Sequence, residues 1–227
     1  MIQALIFDFD GLIVDTEWPE FQSWQEICLH YNVELALETW LPCVGTGATT
    51  QVFDPHEYLE AQIGKILDRE EIYAQRWPRH KELIRAQPIL PGVETLLIEA
   101  KRRGMGLAVA SSSGREWVIG HLDRLGLQEH FDAFACGDEV RHTKPYPDLY
   151  QAALEKLGVQ PGQAVAFEDS LNGMLAARGA GIFCVVVPNR LTQHLPFGQV
   201  DLRLSSLAEI SLDELIERCK CAHERSV

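Results

Sequence analysis

Two aspartates two positions apart, Asp8 and Asp10, directly follow the apolar run from Ile2 to Phe7. In extended chain, residues two apart project to the same side, so both carboxylates can face one site while Phe9 turns into the core. Gly11 then permits a tight turn. Two carboxylates this close resist joint ionisation unless they share a cation or one keeps its proton. Both resolutions suit phosphoryl transfer. One carboxylate attacks phosphorus, while the other, protonated, gives its proton to the leaving oxygen and later takes one from water. Taken alone, Asp-x-Asp is equally well read as a strand-end turn in which an aspartate caps the next helix.

A second acidic pair, Glu168 and Asp169, closes another apolar run in Phe167-Glu168-Asp169-Ser170. Adjacent acids at a second strand end add negative charge to the same crevice, and their repulsion implies a bound cation. Oxygen-only ligands select a hard ion, and beside phosphate that ion is Mg²⁺. Ser170 is also placed to cap the helix that follows. Ser111, Ser112 and Ser113 lie in Ala110-Ser111-Ser112-Ser113-Gly114, after a third apolar run and before a helical pattern. Hydroxyls and free backbone N–H groups gather there, where an anion is favoured, although helix capping alone would explain such a run. Lys144 stands in Thr143-Lys144-Pro145-Tyr146-Pro147, where two prolines hold the chain extended. In a carboxylate-rich crevice it is a point charge for phosphate.

These residues need a scaffold that brings several strand ends together. Near-continuous apolar runs predict strands over 2–7, 106–110, 133–136, 164–167 and 183–187, each covered on both faces. Helical patterns over 91–103, 116–125, 147–157 and 171–180 alternate with them. This alternation predicts an α/β fold built on a doubly wound parallel sheet. The interval between the first strand and the helix at Pro91 carries further helical patterns, over 17–31, 55–67 and 68–83. Asp54 and Pro55 make a helix start. The expected organisation is a catalytic core of residues 1–15 and 87–227, with an α-helical cap of residues 16–86 inserted after the first strand. Ligands in such sheets bind beyond the carboxyl ends of the strands, so the insertion is expected to act as a lid.

Composition narrows the partners. The chain has 227 residues, 46% of them hydrophobic, with 33 acidic against 20 basic residues and a net charge of −13. This balance opposes binding to nucleic acid or to an anionic membrane. No apolar stretch approaches the roughly 20 residues needed to span a bilayer, and the expectation is a cytoplasmic monomer acting on a small molecule. Scattered cysteines, and a Cys219–Cys221 pair without a second pair, offer no zinc site. His30, His56, His80 and His121 fall in helical patterns and read as surface or cap-interface residues.

The aspartate pair, the serine, the lysine and the acidic pair, in this order and each at a strand end, resemble the four signature motifs of the haloacid dehalogenase superfamily. The resemblance implies a Rossmann-like core and an aspartyl-phosphate on Asp8, with Asp10 as acid/base. It implies Mg²⁺ held by Asp8, the Asp10 backbone carbonyl, Asp169 and Glu168, and phosphate held by Ser111, Ser112 and Lys144. The helical insertion, with the segments from Phe7 to Glu17 and from Phe167 to Gly173, is similar to the subgroup containing β-phosphoglucomutase, phosphoglycolate phosphatase and sugar-phosphate phosphatases. Dehalogenation of carbon is disfavoured because those enzymes generally lack the second aspartate. The implied activity is a phosphatase acting on a small phosphorylated metabolite such as a sugar phosphate. A β-phosphoglucomutase-type mutase is the alternative, and a non-catalytic binding protein a more distant one. Glu20 stands where β-phosphoglucomutase has a histidine, which favours hydrolysis. Specificity is expected in the insertion. Trp24 could stack on a sugar or serve as core, Glu20 could accept sugar hydroxyls, and Thr46 lies in Val44-Gly45-Thr46-Gly47, whose amides could approach the substrate. Arg76, Arg79 and Lys81 read as a solvated helix face, with contact to a second phosphate as the alternative.

Overall fold

In the computed structural model, which describes residues 1–44 and 53–225, the described residues form a six-stranded, all-parallel sheet in the order β3-β2-β1-β4-β5-β6. The strands are β1 (Ala4–Phe7), β2 (Gly106–Ser111), β3 (Ala133–Cys136), β4 (Ala164–Glu168), β5 (Phe183–Val186) and β6 (Leu202–Arg203). The chain runs outward from β1 through β2 to β3, then returns to place β4 on the other side of β1. The order therefore reverses between β1 and β4, which puts the crevice for a ligand at their carboxyl ends.

The two-residue side-chain period explains why the sheet is covered on both faces. Leu5, Phe7, Leu107, Val109, Val165 and Phe167 enter one core cluster, completed by α5 (Val93–Arg102), α6 (Arg115–Arg124) and α9 (Leu212–Arg225). The alternate residues Ala4, Ile6, Ala108, Ala110, Ala164 and Ala166 enter the other, against α7 (Asp148–Leu157) and α8 (Leu171–Gly179). Alanine predominates on this second face, and the bulk comes from Leu149, Tyr150, Leu154 and Met174 on the helices. On the first face the Phe7 and Phe167 rings stack with centroids 4.7 Å apart, and the Asp8 N–H donates to Phe167 O at 2.9 Å. That bond carries the β1–β4 register one residue past the strand, to the first aspartate.

Backbone contacts divide the chain into two units: Met1–Val14 with Ile89 onward, and Asp15–Pro88. The second is helical, with α1 (Glu17–His30), α2 (Leu37–Trp40), α3 (Pro55–Ile63) and α4 (Arg69–Arg85). Asp54 caps α3, accepting from the His56 N–H at 2.8 Å, with Pro55 at the first helical position. The predicted helix over 55–67 ends at Ile63, because Gly64 adopts φ +66° and terminates it in the left-handed conformation. Asp68 is the cap of α4 and not its first residue. Trp40 packs against Phe21, their rings 5.6 Å apart.

His56 and His80 depart from expectation, being buried within this unit at 3% and 5% exposure. No helix of the described residues is long and apolar enough to cross a membrane.

Candidate active site

Three strands, β1, β2 and β4, end in a polar residue or are followed directly by one. Asp8 follows β1, Ser111 is the last residue of β2, and Glu168 is the last residue of β4 with Asp169 after it. Among the described residues, the carboxylates that converge are Asp8, Glu168 and Asp169, all buried, each with one oxygen within 4.8 Å of the others. Lys144 emerges from the segment after β3 and inserts between two of them, bonding to Asp8 and lying 2.6 Å from Glu168. Burial would lower the Lys144 pKa, but Asp8 and Glu168 outweigh it and push it up, so the ammonium stays charged. Burial raises the Asp8 carboxyl well above the ordinary aspartate value. Lys144 opposes this, while Glu168 and Asp10 add to it.

Backbone space makes this crowding possible. Gly11 adopts φ +82°, and a β-carbon there would lie 2.5 Å from Asp169 Oδ2 and 2.6 Å from Asn189 Nδ2. The fully buried Glu168 accepts from the Tyr150 hydroxyl at 2.5 Å. Asp169 Oδ2 accepts from Asn189 Nδ2 at 2.8 Å. Ser170 caps α8 as expected, accepting from the Gly173 N–H at 3.1 Å. The three carboxylates are a hard, oxygen-only donor set with one compensating lysine, a composition that fits Mg²⁺.

Asp10 takes a different position. Its carboxylate meets donors from the end of β2, the loop after it and α6: Ser113 Oγ donates to Oδ2 at 2.7 Å, Ser111 Oγ to the same oxygen at 3.3 Å, and Trp117 Nε1 to Oδ1 at 3.0 Å. Phe9, between the two aspartates, is fully buried in the first core cluster. The Asp-x-Asp pair thus separates into one carboxylate among acids and a lysine and another among hydroxyls and an indole. Ser111 also accepts from the Ser113 N–H at 3.0 Å. Ser112 is half-buried, with its carbonyl so close to Gly137 that a β-carbon there would lie 2.1 Å from it.

The residues expected to set specificity lie in the helical unit. Glu20 Oε2 is 2.9 Å from Arg76 Nη1 and 2.8 Å from His80 Nε2, and Arg76 also donates to Ser23 Oγ at 2.8 Å. Burial pushes the Glu20 carboxyl up, but His80 and Arg76 prevail and hold its pKa at about 2. The Arg76 guanidinium lies 4.9 Å from the centre of the half-buried Trp24 ring. Arg76 is therefore not on a solvated face: at 7% exposure it is drawn inward by Glu20, Ser23 and Trp24. Arg79 does stay partly exposed, paired with Glu26 at 2.9 Å. Thr46 lies outside the described residues.

Trp117, Tyr150 and Asn189 join the site without having been singled out in the sequence, and Ser113, read there only as part of the serine run, joins it on Asp10. Asn189 carries a positional signal, since it lies just past β5 at the same end of the sheet. Tyr150, Trp117 and the choice of Ser113 over Ser112 depend on how helices pack back onto the strands.

Residues 5–187 match the family model described as haloacid dehalogenase-like hydrolase. The YhcW protein of Bacillus subtilis (strain 168) is 46% identical, over 96% of this chain and 97% of its own. Hexitol phosphatase B of Escherichia coli (strain K12) is 31% identical, over 95% and 97% respectively. Among solved structures, CbbY from Rhodobacter sphaeroides in complex with phosphate superposes with a TM-score of 0.73 at 33% identity, covering 95% of this chain and 100% of that one.

Proposed function

This chain belongs to the haloacid dehalogenase-like hydrolase family, and from that premise we propose that it is a Mg²⁺-dependent phosphatase of small phosphorylated metabolites, sugar phosphates foremost. The observation that carries this reading is the division of labour between the aspartates. Asp8 sits with Glu168, Asp169 and Lys144, while Asp10 is held apart by hydroxyl and indole donors. The names of relatives that act on phosphorylated hexitols and carbohydrates support the substrate class.

In this mechanism an Asp8 oxygen attacks phosphorus as the ester P–O bond breaks, and Asp10 gives its proton to the departing alcohol oxygen. Water then attacks the phosphorus of the aspartyl-phosphate and loses a proton to Asp10, releasing inorganic phosphate and restoring both aspartates. Lys144 and the Ser111 hydroxyl hold the phosphate oxygens, with Ser112 beside them, and Lys144 offsets charge on Asp8 as its carboxylate is consumed and reformed. Asp8, Glu168 and Asp169, with the Asp10 backbone carbonyl, would hold Mg²⁺, which when bound supplies Lewis-acid stabilisation of charge on the phosphoryl oxygens.

We assign substrate selection to the helical unit through Glu20, Trp24 and Thr46. Hydrolysis is favoured over the mutase reaction because Glu20, standing where the mutase has a histidine, is held as a carboxylate by Arg76 and His80. A screen of phosphorylated metabolites with Mg²⁺ should release inorganic phosphate from sugar phosphates, and Asp8→Asn should abolish it. Wild-type turnover in Asp8→Asn would overturn the mechanism.

A further inference from the structure

The Asp10 carboxylate has two chemically distinct sides. Trp117 is the third residue of α6, and its half-buried indole packs against the first core cluster and edge-on to His121, with ring centroids 4.4 Å apart. Because its ring is anchored one helical turn before His121, the N–H reaches Asp10 Oδ1 from a fixed direction, at 3.0 Å. An indole nitrogen donates and never accepts. The oxygen it meets must therefore act as acceptor, whichever proton count the carboxyl carries. The other oxygen meets Ser113 and Ser111 hydroxyls at 2.7 and 3.3 Å, and a hydroxyl can rotate to donate or accept.

We propose that Trp117 is a positioning residue for Asp10: its indole N–H pins Oδ1 as an acceptor, so that Oδ2, on the serine side, is the oxygen that carries and transfers the proton. The step it serves is the one in which the ester P–O bond breaks and the proton on Oδ2 passes to the departing oxygen. Ser113 holds the same oxygen and can accept its proton in a hydrogen bond before transfer. This assignment rests on the reading of Asp10 as acid/base, and adds to it a tryptophan outside the family motifs that the sequence presents.

The test exploits leaving-group chemistry. An aryl phosphate such as p-nitrophenyl phosphate departs as a weakly basic phenolate and needs little proton donation, whereas an alkyl phosphate such as a sugar phosphate needs it fully. Trp117→Phe keeps an aromatic ring at this position and removes the N–H. Its kcat/KM, which reports steps through phosphorylation of Asp8, should fall roughly tenfold to a hundredfold for the alkyl ester. For the aryl ester it should fall less than about threefold on the same reasoning. A double variant with Asp10→Asn should add nothing for the alkyl ester beyond Asp10→Asn alone. An equal fall for both esters with Trp117→Phe, or no fall, would overturn the assignment, as would additive losses in the double variant. Asp10→Asn by itself separates the two claims. If it discriminates between the esters while Trp117→Phe does not, the acid role stands and the tryptophan's role is wrong. If Asp10→Asn does not discriminate, the acid/base reading fails and the assignment to Trp117 falls with it.

Discussion

A β-carbon on Gly173 would lie 1.8 Å from Oε2 of Glu168. Glu168 is fully buried at the end of β4, and α8 begins three residues later, so the helix can approach the strand only where its third residue has no side chain. The distance is far below any real contact, and the oxygen met there belongs to a carboxylate already bonded by Tyr150 and Lys144. Gly173→Ala must push Glu168 out of position or lift α8. Overpacking of this kind costs about 1–3 kcal/mol, and urea unfolding should register it. The same displacement should weaken Mg²⁺ binding at least roughly tenfold through its effect on ligand placement, read as a higher Mg²⁺ concentration for half-maximal activity. Wild-type Mg²⁺ dependence in a folded Gly173→Ala protein would contradict this.

Asn189 holds Asp169 from the far side. Its Nδ2 donates to Asp169 Oδ2 at 2.8 Å, while its Oδ1 accepts from the Leu191 and Thr192 N–H groups at 2.8 and 3.0 Å. The amide is thereby fixed in one orientation by the backbone of the turn after β5. Asn189→Ala removes this donor, and loss of such a supporting partner costs about 10- to 100-fold in metal affinity. Titration calorimetry with Mg²⁺ should show the loss. Unchanged affinity would mean that Asn189 serves the turn alone.

Much of this arrangement was written locally. Each apolar run became a strand because parallel strands covered on both faces need no polar alternation, and Asp54 and Ser170 cap helices where their side chains reach free N–H groups. The grouping of Asp8, Glu168 and Asp169 was legible because each abuts a strand end and the sheet gathers strand ends, whereas Lys144 reaches them from the segment that follows β3. What was not legible depended on pairing across distance. The two-residue strand β6 is too short to leave a pattern. Arg76 resembled a solvated arginine until Glu20, 56 positions earlier by their numbers, was brought against it. Trp117 is spaced like a core residue and packs like one, and only its N–H reaches the site.

Tyr150 supports the Glu168 carboxylate in the core. Its hydroxyl donates at 2.5 Å to a carboxylate with no solvent access, and burial, with the neighbouring Glu168 charge, drives its own pKa well above the ordinary tyrosine value. It therefore remains a donor across the whole working pH range. Tyr150→Phe keeps the ring in the second core cluster but leaves a buried acceptor short of a partner, at about 1–3 kcal/mol. Chemical denaturation should show that loss in the metal-free protein. Added Mg²⁺, drawing on the same carboxylate, should recover part of it by mass action. Equal destabilisation with and without Mg²⁺ would argue against Glu168 as a ligand.

The Glu20 carboxyl gives the helical unit a defined acid response. Burial raises its pKa, but His80 and Arg76 overcome this and depress it from 4.5 to about 2. A group whose pKa is lower folded than unfolded binds protons more readily when unfolded, so its stabilisation is complete above the unfolded value and is lost as pH falls through the folded one. The contribution of Glu20 should thus be constant above pH 4.5 and fade between 4.5 and 2. Glu20→Gln keeps the shape and an acceptor while removing the charge, which makes it the reference. The difference in Tm between wild type and Glu20→Gln, followed from pH 6 downward, should hold steady and then shrink toward zero across that interval. Arg76→Met should remove part of the difference at every pH, because the buried guanidinium is one of the two partners, beside the His80 ring, that oppose the effect of burial. Curves for wild type and Glu20→Gln that stay parallel to the acid end would show that Glu20 gains nothing from its partners in the folded protein.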